Sequence, residues 1–193
     1  MGAMEFQPLL DEIVATLRPE AGRAGHVANY IPALARVPAE RFGIALRTCD
    51  GVEAHAGDST VPFSIQSISK LFTLTLGMRE LGESLWERIG REPSGNPFNS
   101  LVQLESEHGI PRNPFINAGA IAVTDRLMSR FDAKAEMLEL LSSLCGEPVH
   151  FDEEVAASEA ATGFRNVALA NFMMGMLDVF DASTASGLQT ASS

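Results

Sequence analysis

The chain has 193 residues, of which 46% are hydrophobic and 20% are charged, and this is ordinary usage for a globular protein. The composition excludes collagen-like and wholly disordered chains, and no apolar run approaches the roughly 18 residues that indicate a membrane span. The 14 Lys and Arg residues against 25 Asp and Glu residues give a net charge of −11, which argues against nucleic-acid binding.

The first part of the sequence predicts a helix followed by a hairpin. Apolar residues from Phe6 to Leu17 recur at helical spacing and form one stripe. Residues 42–49 are strand-like, Asp50-Gly51 is a strong hairpin-turn signal, and residues 52–56 are expected to pair back.

The second part predicts a largely helical region around one long loop. Residues 67–78 are apolar on most sides, which predicts a buried central helix capped by Gly82, and a further helix is expected over 84–90. Residues 91–118 are rich in Pro, Gly and Asn and read as a functional loop. Helices are then predicted over 118–130, over 134–145, from an acidic first turn at 152–154, and over 163–176.

Cysteine and histidine usage gives no sign of a metal or cofactor. Cys49 and Cys145 have no ligand spacing and are predicted to be reduced and buried, although a disulfide is the less favoured alternative. No cofactor or metal is expected, because no nucleotide-binding or metal motif occurs. The start of the sequence shows no signal peptide, so a cytoplasmic protein is predicted. The histidines without metal spacing are His26, His55, His108 and His150.

The motif with the clearest chemistry is Ser67-Ile68-Ser69-Lys70. Residues three apart lie on one helix face, so the Lys70 amine can reach the Ser67 hydroxyl. A serine needs a neighbouring base to become nucleophilic, and a lysine can be that base if burial lowers its pKa. From spacing alone, a capping Ser67 and a surface Lys70 are equally acceptable.

Three further polar residues are weaker candidates. Asn117 stands at a loop-to-helix junction, where it can bind a polar ligand or, more commonly, cap the helix. Glu159 suits an ammonium group and Asn166 follows two turns later if the segment is helical. By themselves these residues do not identify a site, because Glu159 can be a solvated carboxylate and Asn166 another cap.

Several stretches in a consistent order resemble the serine-dependent glutaminases, which are glutamine amidohydrolases with a β-lactamase-like fold. The resemblance covers about residues 5–172. The stretches that carry it are residues 27–32 (VANYIP), 42–45 (FGIA), 63–70 (FSIQSISK), 92–95 (EPSG), 98–100 (FNS), 111–121 (PRNPFINAGAI) and 159–166 (EAATGFRN).

The resemblance implies hydrolysis of L-glutamine to L-glutamate and ammonia through a glutamyl-enzyme on Ser67, with Lys70 as the general base. It implies that the Ser67 backbone N–H forms half of the oxyanion hole. The residues that it places around the substrate are Tyr30, Gln66, Asn117, Glu159 and Asn166.

The resemblance also implies the fold class, α/β (α+β), β-lactamase/transpeptidase-like, mostly helical with an N-terminal antiparallel hairpin and an incomplete sheet. One glutaminase-like domain is expected over 5–181, with a disordered tail over 182–193. The incomplete sheet leaves an exposed edge, which predicts a homo-oligomer.

The sequence departs from the family beyond Asn166. The family domain continues with pocket tyrosines and a Gly-rich strand, whereas Tyr30 is the one tyrosine of this sequence. The stretch 177–180 (LDVF) resembles a family segment in which tyrosine stands at the place of Phe180. Two alternatives therefore stay open: another Ser-x-x-Lys acylating hydrolase, although a Lys-Thr-Gly strand is absent, and a non-catalytic, degenerate interaction module.

Overall fold

The computed structural model describes residues 5–177, and the chain divides between Ser64 and Ile65 into two compact units. The predicted class, mostly helical with an N-terminal antiparallel hairpin, is confirmed. The domain over 5–181 stays a prediction, and the expected tail over 182–193 and residues 178–180 lie outside the described residues. The elements are α1 (Phe6–Leu17), β1 (Gly43–Arg47), β2 (Glu53–Gly57), α2 (Ser69–Leu81), α3 (Leu101–Ser106), α4 (Asn117–Met128), α5 (Ala133–Cys145), α6 (Glu153–Thr162) and α7 (Phe164–Leu177).

The first unit is a helix packed on a two-stranded hairpin. Strands β1 and β2 pair antiparallel from Gly43 opposite Gly57 to Arg47 opposite Glu53. Gly51 has φ +88° in the connecting turn, a conformation that glycine adopts without steric cost. Alternate strand residues face α1, and the buried centre of this contact is formed by Leu10, Ala54 and Ala56. Within residues 5–177 the sheet has only these two strands, so the expected open sheet is observed.

A charged contact closes the base of the hairpin. The carboxylate of Asp58 accepts two hydrogen bonds from the Arg18 guanidinium, at 2.8 and 2.7 Å, and one from the Phe42 backbone N–H at 3.0 Å. The Phe42 hydrogen bond, joined by the nearby Arg18, lowers the pKa of Asp58 from its ordinary value of 3.8. In its ionised form, the carboxylate of Asp58 thus links the Arg18 side chain to the backbone of Phe42 within the first unit.

The second unit is helical, and its main core lies among α2, α4, α5 and the 3-10 turn Gly82–Glu87. The expected end of the central helix is confirmed, because Gly82 has φ +54° and is the C-cap of α2. The buried side chains of this core are Leu76, Leu81, Leu85, Ile89, Ala122, Val123 and Leu127. A second cluster joins α3, α4 and α7 through Leu104, Ala118, Leu169 and Met173.

Three sequence expectations about this unit are corrected. Helix α2 is not buried on most sides: Leu76, Gly77 and Leu81 are its buried residues, whereas Leu71 and Met78 are each 51% exposed. The helix expected over 84–90 is the 3-10 turn Gly82–Glu87, because so short a segment gains few α-helical hydrogen bonds. The long loop contains the short helix α3, whose first turn is capped by the Ser100 hydroxyl.

The cysteines are also corrected. Both are free, as expected, but both are exposed rather than buried. Cys49 follows β1 at the hairpin turn and Cys145 is the last residue of α5, so neither reaches a core. Among the helices within residues 5–177, none has the length and apolar character that a membrane crossing requires.

Candidate active site

Ser67 lies in a 3-10 turn, Gln66–Ile68, that leads directly into α2. Gln66 has φ +45°, a left-handed conformation that is rare for a residue with a side chain and costs about 1–3 kcal/mol where it occurs. The side chain of Ser67 is not a helix cap, since Ile68 is the N-cap of α2 and Ser67 is exposed. The strained turn therefore presents an accessible serine hydroxyl.

Lys70 lies in the first turn of α2 and is half-buried. Its Nζ donates hydrogen bonds to the Phe115 carbonyl at 3.1 Å and to Asn117 Oδ1 at 2.7 Å. Both acceptors are neutral oxygens, and neither is a carboxylate that would offset the cost of burying the ammonium. Burial accordingly lowers the pKa of Lys70 from its ordinary value of 10.5. The alternative of a lysine fully extended to the surface is not what the structure shows.

Asn117 links Lys70 to a third helix. It is the first residue of α4, its backbone N–H donates to the Phe98 carbonyl at 2.7 Å, and Ile116 rather than Asn117 is the N-cap. Its Nδ2 donates to Asn166 Oδ1 on α7 at 3.0 Å. The amide of Asn117 therefore bridges the amine of Lys70 and the amide of Asn166.

These side chains line one cavity of about 320 Å³ in the second unit, a volume in the range of small-molecule sites. The cavity brings together six of the seven residues singled out in the sequence, and their roles stay predictions. The six are Gln66, Ser67, Lys70, Asn117, Glu159 and Asn166. The seventh, Tyr30, belongs to the first unit and is 70% exposed.

Two residues near Lys70 were missed by reasoning from the sequence. The ring of Phe98 has its centroid 5.5 Å from Lys70 Nζ, a geometry that attracts a cation. Asp125, which is 6% exposed on α4, also lines the cavity. Phe98 stands in the stretch 98–100 that carries the resemblance but was given no role there, and no local pattern marks Asp125.

The fold and the site place the chain in a class of mostly helical α/β proteins that carry a Ser-x-x-Lys pair at the start of a central helix. The chain belongs to the glutaminase family, because the family model described as Glutaminase matches residues 25–190. It is 57% identical over 176 residues to a glutaminase from Methylobacterium sp. (strain 4-46), an alignment that covers 88% of this chain and 57% of that protein. It is 58% identical over 179 residues to a glutaminase from Rhodopseudomonas palustris (strain TIE-1), with 88% and 58% coverage.

Solved structures show the same fold. The probable glutaminase ybaS superposes with a TM-score of 0.86 at 34% identity, covering 100% of this chain and 63% of that chain. The probable glutaminase of Bacillus subtilis gives a TM-score of 0.76 at 33% identity, covering 91% and 54%. Mglu in its glutamate form gives a TM-score of 0.80 at 34% identity, covering 93% and 42%. The chain spans somewhat more than half of the length of the curated relatives it matches.

Proposed function

We propose that this chain hydrolyses the side-chain amide of L-glutamine to give L-glutamate and ammonia, with Ser67 as nucleophile and Lys70 as general base. The observation that carries the proposal is the pair of hydrogen bonds from Lys70 Nζ to Phe115 O and Asn117 Oδ1. Family membership and the solved structure of Mglu in its glutamate form support the substrate and the product.

The hydrogen bonds of Lys70 suit it to proton transfer. A neutral amine has two N–H groups and one lone pair, and the two acceptors match the two N–H groups. The lone pair is then left for the hydroxyl proton of Ser67, one helical turn away. Burial favours this neutral form, because it lowers the pKa of Lys70.

The proposed reaction has two halves with Lys70 moving one proton in each. Ser67 Oγ bonds to the amide carbon as Lys70 takes the hydroxyl proton, and Lys70 then gives that proton to the departing nitrogen, which leaves as ammonia. A water molecule next attacks the glutamyl ester and loses a proton to Lys70. That proton returns to Ser67 Oγ when the ester bond breaks and glutamate forms.

The cavity offers complementary groups for the rest of the substrate. We assign the carboxylate of Glu159 to the α-ammonium group, because it lines the cavity and a carboxylate forms charge-assisted hydrogen bonds with an ammonium group. The amides of Asn117 and Asn166 are assigned to the α-carboxylate, and Gln66 to the pocket wall. The backbone N–H of Ser67, near the start of α2, is proposed as one oxyanion donor. Tyr30 stays a predicted pocket residue.

Assembly and location are finer proposals. The open edges of the β1–β2 hairpin support a homo-oligomer, because unpaired strand edges favour pairing with a second chain. Light scattering after size-exclusion chromatography tests this, and a monomer at all concentrations contradicts it. The cytoplasmic location stays a prediction.

The experiment that tests the proposed function is ammonia release from L-glutamine by the purified chain. We expect release that is lost in Ser67→Ala and retained in Ser143→Ala, since Ser143 is an exposed serine on α5. Equal release by the Ser67→Ala variant contradicts the assignment of the nucleophile. No release by the folded wild-type chain contradicts the proposal and favours a non-catalytic module.

A further inference from the structure

We propose that Asn113 is a positioning residue for Lys70: its side chain holds the loop that presents the Phe115 carbonyl to the Lys70 amine. The inference rests on the proposed function, in which Lys70 is the base. Asn113 does not itself line the cavity, and its side chain hydrogen-bonds to the backbone of Glu92, Phe115 and Ile116, so we infer that its effect is transmitted through the backbone.

The side chain of Asn113 closes a turn in the loop before α4. Its Oδ1 accepts hydrogen bonds from the backbone N–H groups of Phe115 at 3.0 Å and of Ile116 at 3.2 Å. A side chain that binds the backbone two and three residues ahead fixes a tight turn, and Pro114 stiffens it further. The orientation of the Phe115 peptide groups is thereby restricted.

The other end of the Asn113 amide binds a segment distant in the sequence. Asn113 Nδ2 donates to the Glu92 carbonyl at 2.9 Å, and the Glu92 N–H donates to the Arg112 carbonyl at 3.0 Å. Both ends of the Asn113 amide are therefore used, one on its own loop and one on a distant segment. The turn cannot swing away from residues 90–92 without breaking these bonds.

The backbone at Asn113 also lies very close to α4. A Cβ atom added at Gly119 would lie 1.9 Å from the Asn113 carbonyl oxygen, so the backbone at Asn113 sits directly against the first turn of that helix. The same turn starts with Asn117, which is the second acceptor of Lys70. Asn113 thus contacts both segments that carry the hydrogen-bond acceptors of Lys70, the Phe115 turn and the first turn of α4.

The test combines kinetics with a readout on Lys70 itself. The chain has two lysines, Lys70 and the exposed Lys134, so ¹³C labelling of the lysine ε-carbon gives two assignable signals. A held amine makes the two ε-protons of Lys70 inequivalent, whereas a freely rotating side chain averages them. Covalent labelling by a diazo-ketone analogue of glutamine gives, in parallel, an inactivation rate constant and an apparent affinity for the same reagent.

We expect Asn113→Ala to lower the inactivation rate constant at least about tenfold with little change in affinity, since a small misplacement of a reacting group costs this much. The separate ε-proton signals of Lys70 should merge, while those of Lys134 stay unchanged. Asn113→Ser keeps an uncharged oxygen acceptor for the turn and should restore most of the rate. The charged groups that share the cavity with Lys70, Asp125 and Glu159, are unaltered in both variants.

The matched control is Asn96→Ala, because Asn96 is exposed and also precedes a proline. It should leave the rate constant and both lysine signals unchanged. If Asn113→Ala does not fold, Asn113→Gln carries the same expectation, since its longer side chain moves the amide out of register with the turn. Unchanged Lys70 signals and rate constant in a folded Asn113 variant overturn the proposal. Absence of labelling in the wild-type chain contradicts the proposed function instead. The ε-proton signals of Lys70 in the Asn113 variants then test the positioning role of Asn113 without the kinetics.

Discussion

Nζ of Lys70 lies 2.7 Å from Oδ1 of Asn117, although 47 positions separate the two residues in the sequence. The contact joins the first turn of α2 to the first turn of α4, and the other end of the Asn117 amide continues to Asn166 on α7. A single asparagine therefore orients the amine that we propose as the base and connects three helices at the cavity.

The charge state of Lys70 should control the pH dependence of the reaction. The neutral amine is the reactive form, so the rate of Ser67 labelling should rise with pH through the pKa of Lys70. Burial lowers that pKa, which moves the rise below the ordinary lysine value of 10.5. Titration of the ε-carbon signal of Lys70 should give the same midpoint as the labelling rate.

Replacing Asn117 by aspartate should move this midpoint in the opposite direction. A carboxylate at hydrogen-bond distance stabilises the ammonium and raises the pKa of the lysine. We therefore expect the pH profile of Asn117→Asp to shift upward relative to the wild type, whatever its effect on substrate affinity. Asn96→Asp, on an exposed loop, is the control. A midpoint that stays in place or falls in Asn117→Asp contradicts the role given to this contact.

Two of the helical glycines, Gly119 on α4 and Gly175 on α7, should respond oppositely to alanine. At Gly119 a Cβ would overlap the Asn113 carbonyl oxygen, so the loop or α4 must move, at a cost of about 1–3 kcal/mol or more. At Gly175, on α7, no atom of residues 5–177 lies within 4 Å of an added Cβ, so alanine should stabilise the helix by up to about 1 kcal/mol. Chemical denaturation measures both. Equal effects of the two substitutions would show that the close approach at Gly119 is not rigid.

The stability of the first unit should depend on pH through Asp58. Its pKa is lowered in the folded state by the Phe42 amide and by Arg18, so the ionised form binds these groups better than the proton does. The stabilisation is therefore complete above the unfolded value of about 3.8 and is lost as the pH falls through the folded pKa.

Asp58→Asn should accordingly lower the thermal midpoint at pH 6, and the difference from the wild type should shrink as the pH falls through the lowered pKa of Asp58. Glu12→Gln, on the exposed side of α1, provides a matched removal of one carboxylate. A difference between Asp58→Asn and the wild type that stays constant from pH 6 to pH 2.5 would refute the linkage.

Local sequence signals were sufficient for much of the fold. Asp50-Gly51 fixed the hairpin turn, Gly82 ended α2, and the acidic residues after Asp152 opened α6, because each acts on its immediate neighbours. Helix α3 was missed, since its single capping residue, Ser100, stands among loop-forming residues. Exposure of Cys49 and Cys145 also depends on tertiary position, which composition does not reveal.

The residues of the candidate site were easier to predict than the hydrogen bonds between them. Helix geometry brings Ser67 and Lys70 together, and Asn117, Glu159 and Asn166 were weak candidates on their own. The resemblance to glutaminases favoured a substrate role for these three and added Tyr30 and Gln66. The positive φ of Gln66 and the acceptors of Lys70 were not predictable from the sequence. The acceptors of Lys70 arise where the segment before α4 packs against α2, a contact between residues far apart in the chain.

The most direct test of the account is mass spectrometry of the chain after incubation with a diazo-ketone analogue of glutamine. We predict one covalent adduct, located on Ser67, that is absent from Ser67→Ala and present in Ser143→Ala. An adduct on another residue, or labelling that is undiminished in Ser67→Ala, would contradict the claim that Ser67 is the nucleophile.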